Sequence, residues 1–193
     1  MLNVQSKVGD TTGASVVASG GVSSGLKAGG IFAVQCFDKD GKLKWEEKSH
    51  NLVVNVGLKD MNDKYFTGSA YTATWFVGVY GAAASNTPAA GDTMASHAGW
   101  TEVTAYSQAT RPAAVFAAAT TADPSVITTS ASPTVFSING STVVGGAFLT
   151  SNSTKSGTTG ILFSASDFAA PGDRSVVSGD TINITYTFSL DAA

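Results

Sequence analysis

The sequence predicts a mainly β fold: an antiparallel β-sandwich or jelly-roll-like barrel with one short amphipathic helix and an extended N-terminal arm. Three observations predict it. Between Asp180 and Leu190 the residues Ile182, Ile184, Tyr186, Phe188 and Leu190 alternate with Asn183, Thr185, Thr187 and Ser189, the period of two that a half-buried strand requires. Short β-rich runs recur through the second half of the chain, separated by clusters of Gly, Ser, Thr and Pro, which is the spacing of a sandwich or barrel. Only one stretch, residues 51–66, repeats at helical spacing.

Residues 1–30 scatter single apolar residues among Gly, Ser and Thr with no sustained period. They are expected to form an extended arm, because so little apolar surface cannot offset the entropy of ordering it. Residues 31–193 are expected to form a single β-rich domain, a size at which about 70% of the extended chain's surface becomes buried. The domain opens with IFAVQCF and KLKWEE around Asp40-Gly41, a hairpin signal that predicts a type I′ turn. The acidic residues of this turn lack the remaining oxygen ligands of a calcium loop. In the helix, Val54, Leu58, Met61 and Tyr65 are predicted to share one face, with Asn51 as N-cap and Gly68 beyond the end. The unbroken apolar run at residues 73–80 predicts a central strand covered on both sides. Residues 81–99 have no period and, as a long loop, are the expected contact region. Further strands are predicted at residues 100–106, 113–117, 126–129, 134–138, 143–150, 160–164 and 180–190. The five prolines fall in gaps or at strand starts.

Composition excludes several function classes. Charged residues make up 13% of the 193, with a net charge of −3 and no Lys/Arg cluster, so the chain lacks the basic stripe that a nucleic-acid partner requires. No run is long and apolar enough to span a bilayer as a helix. The first thirty residues have neither a basic n-region nor an apolar h-region, so the chain is expected to be soluble and made in a reducing cytoplasm. In that setting the sequons at Asn139, Asn152 and Asn183 carry no weight. Cys36 is the only cysteine, so no disulfide can form within the chain.

No catalytic, cofactor or metal residue emerges. His50 and His97, the only histidines, have no second ligand at helical or tight-turn spacing. Asp92, Ser96 and His97 supply the residue types of a hydrolase triad, but a triad is assembled from separate elements. Turn-forming roles for Asp92 and Ser96, with His97 packed beside Trp100, are expected instead. Glu46 and Glu47 point to opposite faces of their strand and cannot act together. Gly145-Gly146 precedes no helix and marks a bulge or a close backbone approach rather than a phosphate loop. Trp45, Trp75, Trp100, Tyr71 and Tyr106 could form a sugar-binding platform or serve the core. The chain is therefore read as a structural or binding protein rather than an enzyme, with no cofactor.

Four stretches, HNLVVNVGL from His50, GDTMASHAGWTE from Gly91, GGAFL from Gly145 and SGDTINITY from Ser178, resemble a family of small β-rich virion structural proteins of tailed bacteriophages. The likeness spans about residues 30–190 and brings no catalytic residue with it. It implies a head decoration or cement protein on the capsid surface, produced in the bacterial host cytoplasm. Its implied partners are the major capsid protein or another virion protein, in a homo-oligomer, dimer or trimer, with neither nucleic acid nor membrane. The alternatives are a tail, neck or fibre component, or a carbohydrate-binding module for host attachment.

Overall fold

The computed structural model describes residues 25–71, 74–81, 87–168 and 172–192. Most of the expected arm therefore lies outside the described residues. Two antiparallel sheets pack face to face as a β-sandwich. The first sheet is built on β1 (Leu26–Phe37) and β13 (Thr181–Ala192), paired in register along their whole lengths from Leu26 opposite Ala192 to Phe37 opposite Thr181. β2 (Leu43–His50) flanks β1, while β7 (Ser125–Thr128) and β8 (Thr134–Ser137) share the other edge of β13. The second sheet runs β3 (Leu52–Val53), β11 (Leu162–Asp167), β10 (Gly146–Thr150), β4 (Trp75–Gly81) and β5 (Thr101–Glu102), with β6 (Ala113–Ala114) also on β4. A small ribbon of β9 (Thr142–Val144) and β12 (Arg174–Val176) lies at one end.

β13 follows its sequence pattern, with Ile182, Ile184, Tyr186 and Phe188 buried between the sheets and their neighbours turned outward. They meet Phe32, Val34 and Cys36 of β1 and, from the opposite sheet, Val77, Val79, Ala147, Leu149 and Phe163. β4 is covered on both sides, as its continuous hydrophobicity requires. Val77 and Val79 face this main core, whereas Tyr80 faces a second cluster with Val54, Met94, Trp100, Phe148, Leu162 and Ala165. Glycine makes room for the second cluster. The Phe148 ring lies across Gly78 and the Tyr80 ring across Gly146, so that a Cβ would stand 2.1 Å and 2.2 Å from those rings.

Several expectations are corrected. The segment assigned to the arm extends too far, because β1 starts at Leu26. Gly30, within the segment assigned to the arm, is a strand residue whose missing side chain admits the Thr187 carbonyl, which a Cβ would meet at 2.6 Å. The hairpin turn is not type I′. Of its residues only Gly41 has positive φ (78°), and its N–H donates to the Asp38 carbonyl while Asp38 N–H donates to Lys42 O, a three-residue loop closed by a left-handed glycine. Asp38 stiffens it by accepting the Asp40 and Lys42 amides on Oδ1.

Helix α1 spans Asn55–Phe66, with Val54 rather than Asn51 at its N-cap. Asn51 instead donates its side-chain amide to the Tyr186 hydroxyl at 2.9 Å. The inward line of the helix runs from the buried Val54 and Gly57 to the half-buried Met61 and Lys64, leaving Leu58 and Tyr65 exposed. Gly57 sets this line: a Cβ there would meet the Phe163 carbonyl at 2.3 Å, so the helix rests on β11 through its glycine. Gly68, with φ 69°, follows the helix end. The strand expected at 143–150 is divided at Gly145, whose N–H donates to Tyr80 O and whose carbonyl accepts Phe168 N–H, the close backbone approach that the glycine pair signals. The strand expected at 100–106 shrinks to Thr101–Glu102, and β12 went unpredicted. No helix among the described residues is long and apolar enough to cross a membrane.

Candidate functional site

The two sheets differ in length, and the difference creates the candidate site. β1 and β13 are each 12 residues long, whereas β4, β10 and β11 have 7, 5 and 6. At about 3.3 Å per residue the long pair exceeds the longest strand of its partner sheet by about 15 Å. Toward the start of β1 the inward-facing positions continue as Leu26 on β1 and Leu190 on β13, beside Ile127 on β7, and they share a cleft with Trp75 and Phe163 of the second sheet. This cleft of about 680 Å³ is floored by Phe163, Tyr186 and Phe188 and walled by Trp75 and Phe116. The C-terminal turn of α1 forms its rim, where Leu26, Tyr65, Phe66 and Tyr71 are 67%, 83%, 77% and 76% exposed. So large an apolar opening on a β protein marks a contact or ligand surface.

Tyr186 fixes the floor. Its hydroxyl accepts from Asn51 and lies 3.3 Å from Ser164 Oγ, joining both sheets to the segment that leads into the helix. Burial lifts its phenol well above the ordinary tyrosine value, so it remains a neutral hydrogen-bonding group. Polar rim groups come from α1, where Lys64 pairs with Asp60 at 3.6 Å and donates to the Ala70 carbonyl.

The region expected to make contacts, residues 81–99, is anchored to the second sheet in its described part. Residues 82–86 lie outside the described residues, and 87–99 fold over the outer face of the second sheet, burying Asp92 and Met94. Asp92 and His97 are indeed brought together, but around Trp100. Asp92 Oδ2 accepts the Trp100 indole N–H and the Ala89 amide, each at 3.0 Å, and the His97 ring stacks on Trp100 at 3.8 Å with Nδ1 3.0 Å from its carbonyl. The turn bond expected of Ser96 comes from Thr93, whose hydroxyl accepts the Ser96 amide. This arrangement holds a loop to a sheet and presents no nucleophile to a base. His50 is exposed on β2, and no group of three or more His, Cys, Asp or Glu able to hold a metal gathers among the described residues.

The other expected residues sort cleanly. Glu47 pairs with Arg174 at 2.8 Å, while Glu46 accepts from Gln35 on the opposite face. Trp100 and Tyr106 are buried, Trp45 and Trp75 pack against the main core from its margin, and Tyr71 is exposed. Cys36 is buried, and desolvation followed by the nearby Asp180 carboxylate pushes its thiol up to about 11, which keeps it protonated and unreactive.

Sequence reasoning missed the tightest polar constellation. The fully buried Arg111 guanidinium binds Glu102 through Nε to Oε1 at 2.8 Å and Nη2 to Oε2 at 2.7 Å, and donates to the carbonyls of Asn152 and Gly157. Glu102 also accepts the Ser156 amide, and the guanidinium lies 5.3 Å from the Phe148 ring centre. This knot satisfies its charges internally and secures the loop between β10 and β11. Its only sequence signal was an arginine in a chain poor in charge.

Comparison with known proteins found no matching family model, no matching curated protein and no matching solved structure.

Proposed function

We propose that this chain is a non-enzymatic structural protein of a tailed-phage particle, a head decoration or cement protein that docks on the major capsid protein. The apolar cleft at the end of the first sheet supports the docking part of this reading, because it is an exposed contact surface rimmed by aromatic residues. His97, Asp92, Glu102 and Arg111 are absorbed in loop anchoring, which fits adhesion rather than turnover. The phage part rests on the resemblance of the stretches beginning at His50, Gly91, Gly145 and Ser178. Assembly as a dimer or trimer would multiply weak cleft contacts into firm attachment.

Quantitative mass spectrometry of purified particles tests the proposal. A copy number comparable to that of the major capsid protein is expected. A few copies, matching tail or fibre symmetry, would move the protein to the tail, and absence from particles would reject the virion reading. A saturable change in tryptophan fluorescence on titration with host polysaccharide would replace capsid docking with glycan recognition.

A further inference from the structure

Alternation gives the first sheet a second face, turned away from the core. Along β1 and β13 the positions between the core residues, among them Ala33, Gln35, Asn183 and Thr185, lie on this face, and Glu46 and Lys48 of β2 continue it. Register sorts them into cross-strand rows. Glu46, Gln35 and Asn183 form one row, and Lys48, Ala33 and Thr185 form the next. In the first row Gln35 and Glu46 are exposed, whereas in the second the short Ala33 side chain leaves a hollow of about 350 Å³ bordered by Gln35, Glu46, Lys48 and Thr185. A projection and a hollow, and a negative and a positive charge, therefore stand in adjacent rows of one surface.

We infer that this outer face is a dimer interface whose partner is a second copy of the chain. A twofold axis crossing the strands at Val34, midway between the two rows, exchanges them. It sets Gln35 of each copy over the Ala33 hollow of the other, Glu46 over Lys48, and Phe37 over Ile31 farther out. A twofold interface needs such reciprocity, because residue i meets j wherever j meets i. A small tilt of the axis supplies the angle of about 30° at which twisted sheets stack. The centre of the face is inexpensive to dry, since β13 presents Asn183, Thr185, Thr187 and Ser189 there rather than long charged side chains. Extent is adequate as well. The strands of this sheet are 12, 12, 8, 4 and 4 residues long. At about 3.3 Å by about 4.8 Å per residue they cover roughly 630 Å² of plane, and side-chain relief raises this toward the roughly 800 Å² per partner of a stable interface. The cleft lies on the inner side of the sheet, so the dimer leaves it uncovered. This pairing gives the assembly proposed above a surface, but it belongs to the purified chain and stands or falls separately from the virion reading.

Sedimentation velocity on the purified full chain tests the dimer. Reversible dimerisation is expected. Lys48→Glu faces carboxylate with carboxylate twice across the axis and should raise the dissociation constant about tenfold, while Glu46→Lys/Lys48→Glu should return it to within about threefold of the parent. Both positions are exposed on β2, and an unchanged circular dichroism spectrum shows that the fold is kept. A chain still monomeric at about 1 mM overturns the inference. So does an assembly other than a dimer, a Lys48→Glu chain that dimerises like the parent, or a double variant as weak as the single one.

Discussion

The two ends of the first sheet are built from the same strands and the same alternation, yet one is closed and the other open. At the closed end Val34 and Cys36 of β1 are wholly buried, and Asp180, at the start of β13, is sealed in by Lys44 and the Val177 amide. At the open end Leu26 has the same inward parity as Val34 and Cys36, but is two-thirds exposed. Parity fixes which way a side chain points, whereas burial depends on what stands across from it. An exposed residue of inward parity therefore marks a place that no layer covers among the described residues, and the cleft lies there.

Substitutions at the closed centre should have the largest effect. Ile184→Asp places an unpaired charge in a fully buried site, and the expected result is a chain without a cooperative urea transition by circular dichroism. Next comes the guanidinium knot. Arg111→Met strands the Glu102 carboxylate and is expected to cost about 3–5 kcal/mol, read from the urea midpoint. Adding Glu102→Met should recover much of the loss, and a double variant as weak as the single one would show that the knot holds the loop by shape rather than charge. Gly78→Ala drives a methyl into the Phe148 ring and should cost about 1–3 kcal/mol, with partial rescue by Phe148→Leu.

The closed end also makes a chemical prediction. Because the folded Cys36 thiol titrates near 11, above its ordinary value of 9.0, its contribution to stability is complete below pH 9 and is lost as pH rises from 9 toward 11. At pH 8 a thiol reagent should therefore label the chain only at its unfolding rate, and rapid native labelling would show that this end opens. The smallest stability effect belongs to the rim. Tyr65→Ser is expected to change stability by less than about 0.5 kcal/mol and, under the proposed capsid docking, to lower occupancy on particles. A core-sized loss of stability there would erase the distinction between the two ends.

β13 and β4 were legible because strict alternation and an unbroken apolar run each have one simple structural meaning. The approach at Gly145-Gly146 and the stacking of His97 on Trp100 were legible because neighbouring residues determine them. The helix stripe was misread: a glycine contact at Gly57 turned the packing face by one position, and hydropathy gives glycine little weight in such patterns. The Arg111 knot could not be read, since its acceptors lie at Glu102, Asn152 and Gly157 and meet only through sheet pairing. The cleft was equally hidden, because it arises from a difference in length between two sheets rather than from any local pattern.

The register of β1 on β13 has a mechanical consequence. Leu26 lies opposite Ala192, so tension between the leading segment and the C-terminal residues would peel this ladder open one rung at a time, a low-force route. Tension between the leading segment and the start of β13, opposite Phe37, would instead load all the rungs in shear together. How firmly such a molecule resists pulling therefore depends on which two points its surroundings grip.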